Sequence, residues 1–278
     1  MKSPFTPLAA TLVLSAHQLV AQFAPPTHQV RFVQPDSILW HLPREVDIPL
    51  YGGVFPHVAA GGTWKTRLAI FNPRKTGTAE GELAFYASNG QPLTLDLLQD
   101  GRIVTGAVFR LQVGPRQTAF LEAVSRTGEL KVGFAHLTVW EGALLGNAIF
   151  RESLPDRPDR EAVVPLETNA MRNALFPFDN TNGFVTSVAI VNPASYGDCN
   201  LVIEVYDERG EVLGVYRKTL KRLTHTAFES NREWPASSGQ KGHIRIEIEG
   251  FSTAFSALAL LFNPTGSVTS ALVAHGVY

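Results

Sequence analysis

Gly62-Thr-Trp-Lys-Thr-Arg-Leu-Ala-Ile-Phe-Asn-Pro73 and Asn182-Gly-Phe-Val-Thr-Ser-Val-Ala-Ile-Val-Asn-Pro193 carry one pattern twice, 120 residues apart. Thr66, Ala69, Ile70, Asn72 and Pro73 recur as Thr186, Ala189, Ile190, Asn192 and Pro193. Each stretch is a short β-branched and apolar run that ends at Asn-Pro. Proline has no N–H to give to a ladder, so each run reads as a strand that stops there.

The offset persists downstream. Leu83, Phe85, Tyr86, Gly90 and Leu93 match Ile203, Val205, Tyr206, Gly210 and Leu213. Upstream, Phe55-Pro56 matches Phe176-Pro177 once a single gap is allowed. The later halves align at a shorter offset: Thr118-Ala-Phe120 with Thr226-Ala-Phe228, Gly133, Ala135, Leu137 and Val139 with Gly242, Ile244, Ile246 and Ile248, and Phe150 with Phe262. Self-similarity over so many ordered positions reads as duplication. It places unit 1 over residues 55–165 and unit 2 over residues 176–278. Residues 166–175 form a linker; Leu166, Ala170, Met171, Ala174 and Leu175 give it the spacing of a short helix.

Inside each unit the pattern is that of strands. Gly81-Glu-Leu-Ala-Phe-Tyr86, a turn at Ser88-Asn-Gly90 and Pro92-Leu-Thr-Leu-Asp-Leu97 read as a hairpin, as do Leu201–Tyr206, Glu208-Arg-Gly210 and Val212–Tyr216. Glycine suits both turns because a Cβ clashes at positive φ. His243-Ile-Arg-Ile-Glu-Ile-Glu249 alternates with period two, the mark of a half-buried strand. Short strands at regular spacing in units of about 100 residues predict an all-β chain: two tandem antiparallel β-sandwich units, Ig-like in size.

The first 21 residues, MKSPFTPLAATLVLSAHQLVA, have a basic start, an apolar stretch too short for a bilayer and small residues before Gln22, the layout of a secretory signal peptide. Secretion or a periplasmic location is therefore expected, with no membrane span. Residues 22–54 form a leader whose Val46-Asp-Ile-Pro-Leu50 echoes Ala162-Val-Val-Pro-Leu166, so it is expected to add a strand beside unit 1. The 278 residues hold 24 Lys and Arg against 25 Asp and Glu. That balance offers no long-range attraction to phosphate backbones, which argues against nucleic acid as a partner. The lone Cys199 cannot form an intrachain disulfide; it reads as a small buried hydrophobe, with an intermolecular disulfide as the alternative.

The run Gly-x-Trp-x-Thr-x-Leu-x-Ile-Phe-Asn-Pro, the Phe-Tyr-x-x-x-Gly-x-Pro-Leu that follows it, and Phe255–Pro264 together resemble an uncharacterised tandem module of exported soil-bacterial proteins. The resemblance spans residues 55–278. It implies export and a β-sandwich, and no particular activity. Phe184 stands where unit 1 has Trp64, a swap that suggests core packing for both.

Catalytic signatures such as HExxH, GxSxG and Gly-rich phosphate loops are missing, so the chain is expected not to be an enzyme and to need no cofactor. The eight His are scattered singly, which gives no metal-ligand spacing. Asp179-Asn-Thr-Asn-Gly183 begins like a calcium loop, but the twelfth position is Ile190 where a bidentate Glu is required. Large residues found in one unit only are the candidates for binding. In Lys131–Trp140, Ala135, Leu137 and Val139 align with the inward isoleucines, so His136, Thr138 and Trp140 should face out. Trp140 aligns with Glu249; Trp40 and Trp234 also lack an aligned aromatic and carry less weight than Trp140. An outward Trp offers a flat apolar face to a sugar ring or a peptide side chain. The expected function is an exported structural, adhesive or binding module, with extracellular polysaccharide or another surface protein as partner and Trp140, His136 and Trp234 as candidate ligand contacts. A pair of carbohydrate-binding modules is the first alternative. The second is a hydrolase with an unrepeated Asp, Glu or His cluster between the units.

Overall fold

The computed structural model describes residues 52–271 and Val273. The signal-like segment, Trp40 and the Val46–Leu50 echo lie outside these residues. The described chain is all-β, with four antiparallel sheets. Sheet A has the order β1 (Gly53–Ala60), β8 (Lys131–Glu141), β3 (Ala79–Ala87), β6 (Val108–Val113). Sheet B has the order β10 (Arg160–Pro165), β9 (Leu145–Glu152), β2 (Trp64–Phe71), β7 (Thr118–Val124), β4 (Leu95–Gln99), β5 (Arg102–Gly106). Sheet C runs β11 (Asn173–Asp179), β16 (Lys241–Ile248), β13 (Cys199–Asp207), β14 (Val212–Leu220). Sheet D runs β15 (His225–Glu229), β12 (Val185–Val191), β17 (Ser256–Phe262), β18 (Val268–Ala271).

Sheets A and B close over one core and sheets C and D over another. Leu68, Ile70, Leu83, Phe85 and Phe109 fill the first, Val188, Ile190, Ile203, Ile244 and Ile246 the second. The shared sequence pattern has shared structural work. Thr66 Oγ1 exchanges hydrogen bonds with the backbone N–H and carbonyl of Ala59, and Thr186 Oγ1 does so with those of Asp179. Each threonine thereby ties one sheet of a sandwich to the other. Asn72 and Asn192 are buried; each amide donates to a loop carbonyl, Gly77 or Gly197, and to the end of a strand, Val113 or Leu220. A Cβ on Gly133 would stand 1.9 Å from the Tyr86 carbonyl oxygen, and one on Gly242 2.0 Å from that of Tyr206. These positions are set by architecture, since a buried amide must find its acceptors.

The single gap in the alignment is a β-bulge. Pairing between β1 and β8 shifts between Phe55 and Val58, whereas β11 pairs with β16 without a break from Phe176 to Phe178. The extra residue bends β1 and carries His57 out of the ladder.

Several expectations need correction. Ser88-Asn-Gly90 does turn, with φ +82° at Gly90, but the chain then makes one bridge, Tyr86 with Pro92, and crosses to sheet B as β4. β6 takes the place beside β3, and the inserted β4–β5 hairpin extends sheet B to six strands. The linker is not a helix: Leu166 and Glu167 bond to Gly146 and Val54, Met171 bridges to Phe255, and β11 begins at Asn173. Ala69 pairs with Phe120 but Ala189 pairs with Ala227, so Phe228 is equivalent to Leu121 and not to Phe120. One residue of slip reverses the face, and Phe120 is 54% exposed while Phe228 packs inward on Trp234. The same slip affects the other pair: Thr66 faces Phe150 while Thr186 faces Leu261, and Phe262 points the opposite way.

Candidate functional site

Sheet D is buried on both faces. Val188, Ile190, Ala257 and Ala259 point into the core with sheet C; Ala189, Leu258, Leu260 and Val268 point the other way and join the core of sheets A and B. That is why Ser256-Ala-Leu-Ala-Leu-Leu-Phe262 reads as a continuous apolar run and does not alternate. Trp64, expected in a core, is half-buried at this seam, its indole edge-on to Phe262 with centroids 6.2 Å apart.

The seam also holds an unrepeated histidine pair. Nε2 of His225 lies 3.0 Å from Nδ1 of His57, and Nδ1 of His225 lies 3.0 Å from the Ser88 hydroxyl. The His225 backbone N–H donates to the Ser88 carbonyl at 3.1 Å. The His57 ring sits between His225 and Phe150, and His225 also faces Phe134. Burial pushes His57 down to about 4 and His225 down to about 3. A serine hydroxyl, an imidazole and a third group in line resemble a nucleophile relay in layout alone. Such a relay relies on a carboxylate behind the imidazole to hold the imidazolium. Here a neutral imidazole stands in that place, and burial disfavours the charged form, which makes His225 a weak base at neutral pH. The arrangement clasps the turn at Ser88 to β15.

The outer face of sheet A is different. Along β8, Thr138 and Trp140 are exposed as their spacing requires; His136 points to the same side, but its ring is covered, and Phe134 beyond it is fully buried. Trp140 is 52% exposed, and its indole N–H donates to Glu80 at 3.4 Å. Glu80 also accepts from the Gln112 amide at 2.9 Å, which fixes the carboxylate beside the indole. Phe134 and Tyr86 stack at 5.2 Å, and both rings meet His136 edge-on at 5.7 Å. Nε2 of His136 is buried without a hydrogen-bond partner, and burial pushes this imidazole down to about 4. Glu82 lies between Thr138 and Arg110 in register. Burial raises its pKa, partly countered by Arg110.

The matching face of sheet C is closed by its own charges. Arg245 pairs with Glu204 at 3.0 Å and with Glu247; Tyr206 donates to Glu204 at 2.8 Å; Arg217 pairs with Glu249 at 3.2 Å. The tyrosine is common to both faces, stacked on Phe134 in one and on His243, 4.7 Å away, in the other. Trp140, Glu80 and Glu82 thus stand where sheet C has Glu249, Asn200 and Val202.

Trp234 is not a surface contact. It is 2% exposed and packs edge-on against Phe228 in the core of sheets C and D, beside the short helix α1 (Ser230–Glu233). The sequence placed Trp234 in a polar stretch, and nothing there announced the pocket formed by that helical turn. Cys199 is fully buried, and burial pushes its thiol up to about 12, so the thiol is held protonated and inert. Glu80, Glu82 and Arg110 went unnoticed in the sequence, because only the strand order brings β3 beside β8 and β6 beside β3. Among the described residues no group of three or more His, Cys, Asp and Glu could hold a metal ion, and no helix is long and apolar enough to cross a membrane. No protein-family profile, curated protein or solved structure matches the chain.

Proposed function

We propose that the chain is an exported, non-enzymatic binding module, built by duplication of a β-sandwich, that holds an extracellular polysaccharide on the outer face of sheet A. The observation that carries this reading is the contrast between two equivalent faces. The face of sheet C satisfies its own polar groups in a network of ion pairs. The face of sheet A leaves a half-exposed indole with the Glu80 carboxylate fixed beside it and the exposed Thr138 on the same strand. Sugar rings present apolar C–H faces and equatorial hydroxyls. An indole takes the first and carboxylates with a guanidinium take the second.

Retention of the purified chain on cellulose, chitin and peptidoglycan tests the proposal, with Trp140→Ala and Glu249→Ala run in parallel. Retention on at least one polymer, lost for Trp140→Ala and kept for Glu249→Ala, is the expected result. No retention on any of the three, or equal retention of the two variants, would overturn it.

A further inference from the structure

We infer that the seam between the sandwiches carries a second binding site, for a small oxyanion such as the carboxylate or sulfate of an acidic sugar. The site is a cavity of about 270 Å³ between the chain entering β10 and the turn before β18; Arg157, Asp159, Arg160, Glu161, Gly266 and Ser267 are among its lining residues. Its volume falls just below the roughly 300–1,000 Å³ of pockets for drug-sized ligands, so it suits one small anionic group.

Two guanidinium groups converge there. A Cβ on Gly266 would stand 3.2 Å from Nη1 of Arg157 and 3.8 Å from Nε of Arg160. Glycine at this turn, with φ +101°, therefore leaves open the one spot that both arginines reach. Nε of Arg160 is buried without a hydrogen-bond partner, and that side chain is 13% exposed. The guanidinium also lies over the Phe262 ring, 6.0 Å from its centroid, which fixes its plane.

Each nearby carboxylate has a cation partner of its own. Asp159, at 3.6 Å, and Glu161 turn to Arg151 on the neighbouring strand. Glu152 lies 3.4 Å from Nη1 of Arg160 and leaves its Nε unpaired. Arg157 makes no ion pair among the described residues. The donors left unpaired at the cavity are the Arg157 guanidinium and the Nε–H of Arg160. Two parallel N–H donors are the geometry that recognises a carboxylate or sulfate edge. The 265–267 turn joins two strands of sheet D, Arg160 lies in sheet B and Arg157 in the chain entering it, so a bound anion would bridge the two sandwiches.

The inference is independent of the sheet A reading, and its test separates them. Thermal unfolding and titration calorimetry are run with sodium sulfate, sodium galacturonate and neutral galactose at constant ionic strength. Sulfate or galacturonate should bind saturably and raise the unfolding midpoint, galactose should not, and the tighter of the two anions identifies the source. Arg157 is exposed, so Arg157→Gln keeps the fold and should weaken binding at least tenfold, while Trp140→Ala should bind as the unaltered chain does. Absence of saturable binding by either anion, or equal binding by Arg157→Gln, would overturn the inference.

Discussion

Lowering the pH from 7.5 to 5 should loosen this protein through three imidazoles, before its carboxylates are protonated. Burial holds His57 and His136 down to about 4 and His225 to about 3, against 6.5 for a free imidazole. The unfolded chain therefore binds more protons than the folded one throughout this interval, and stability falls as pH falls. The contribution is complete above about pH 6.5 and is lost progressively down to the folded values. At pH 5 each histidine has lost about 1.5 units of free energy difference, roughly 2 kcal/mol at 1.36 kcal/mol per unit. Three such groups, about 6 kcal/mol, are comparable with the whole stability of an ordinary domain. Glu82 works in the opposite sense, because its raised pKa favours the folded state as it takes up its proton. The depressed carboxylates Asp96, Glu204 and Asp207 act below this window. The assay is urea unfolding at half-unit pH steps, with the histidine ring resonances followed by NMR in the folded state. The double variant His57→Gln/His225→Gln should remove about two-thirds of the slope between pH 7.5 and 5, whatever its stability at pH 7.5. A flat profile, an unchanged slope in the variant, or folded-state titration of these rings near 6.5 would refute the reasoning.

Trp140→Ala should change stability by less than about 0.5 kcal/mol, whereas Trp234→Ala should cost about 3–5 kcal/mol; denaturant midpoints of the two variants check the contrast between surface and core. Asn72→Ala and Asn192→Ala should each destabilise by about 1–3 kcal/mol, since each leaves a buried strand-end carbonyl, Val113 or Leu220, without its donor; near-equal losses in urea titrations would express their shared role. Thr66→Val should cost about 1–2 kcal/mol by removing the tie between sheets A and B, and Thr186→Val about the same for sheets C and D. Cys199 should resist thiol reagents in the folded chain at pH 8 and react stoichiometrically in guanidinium, because its thiol is buried and its pKa raised to about 12.

The sequence disclosed the strands and their faces wherever a residue does the same work twice. Thr66 and Thr186, Asn72 and Asn192, Gly133 and Gly242 are demanded by sheet-to-sheet ties, loop clips and close backbone approach, so their spacing survives in the letters. Even the gap beside Phe55 was meaningful, because a bulge is one residue. What stayed hidden obeys long-range rules. Phe120 and Phe228 sit in similar tripeptides, yet they lie one register step apart in equivalent ladders. Only the partner strand decides that, and no local pattern contains it. The β4–β5 insertion hid for the same reason: Pro92–Leu97 looks like the return arm of a hairpin until sheet B claims it. Of the candidate contacts, Trp140 and His136 were legible because alternation along one strand fixes their direction. Glu80, Glu82 and Arg110 come from strands about 30 to 60 residues away and become neighbours only through the order β8-β3-β6. The seam shows the limit most plainly. His57 and His225 are separated by 168 residues, and neither has a counterpart in the other sandwich. Unrepeated polar residues in a repeated frame are thus the positions to inspect first. Whether each binds a ligand or fastens one sandwich to the other depends on what burial does to its charge. Trp140 keeps water on one side and is free to meet a ligand. His225 does not, and burial leaves it a fastening.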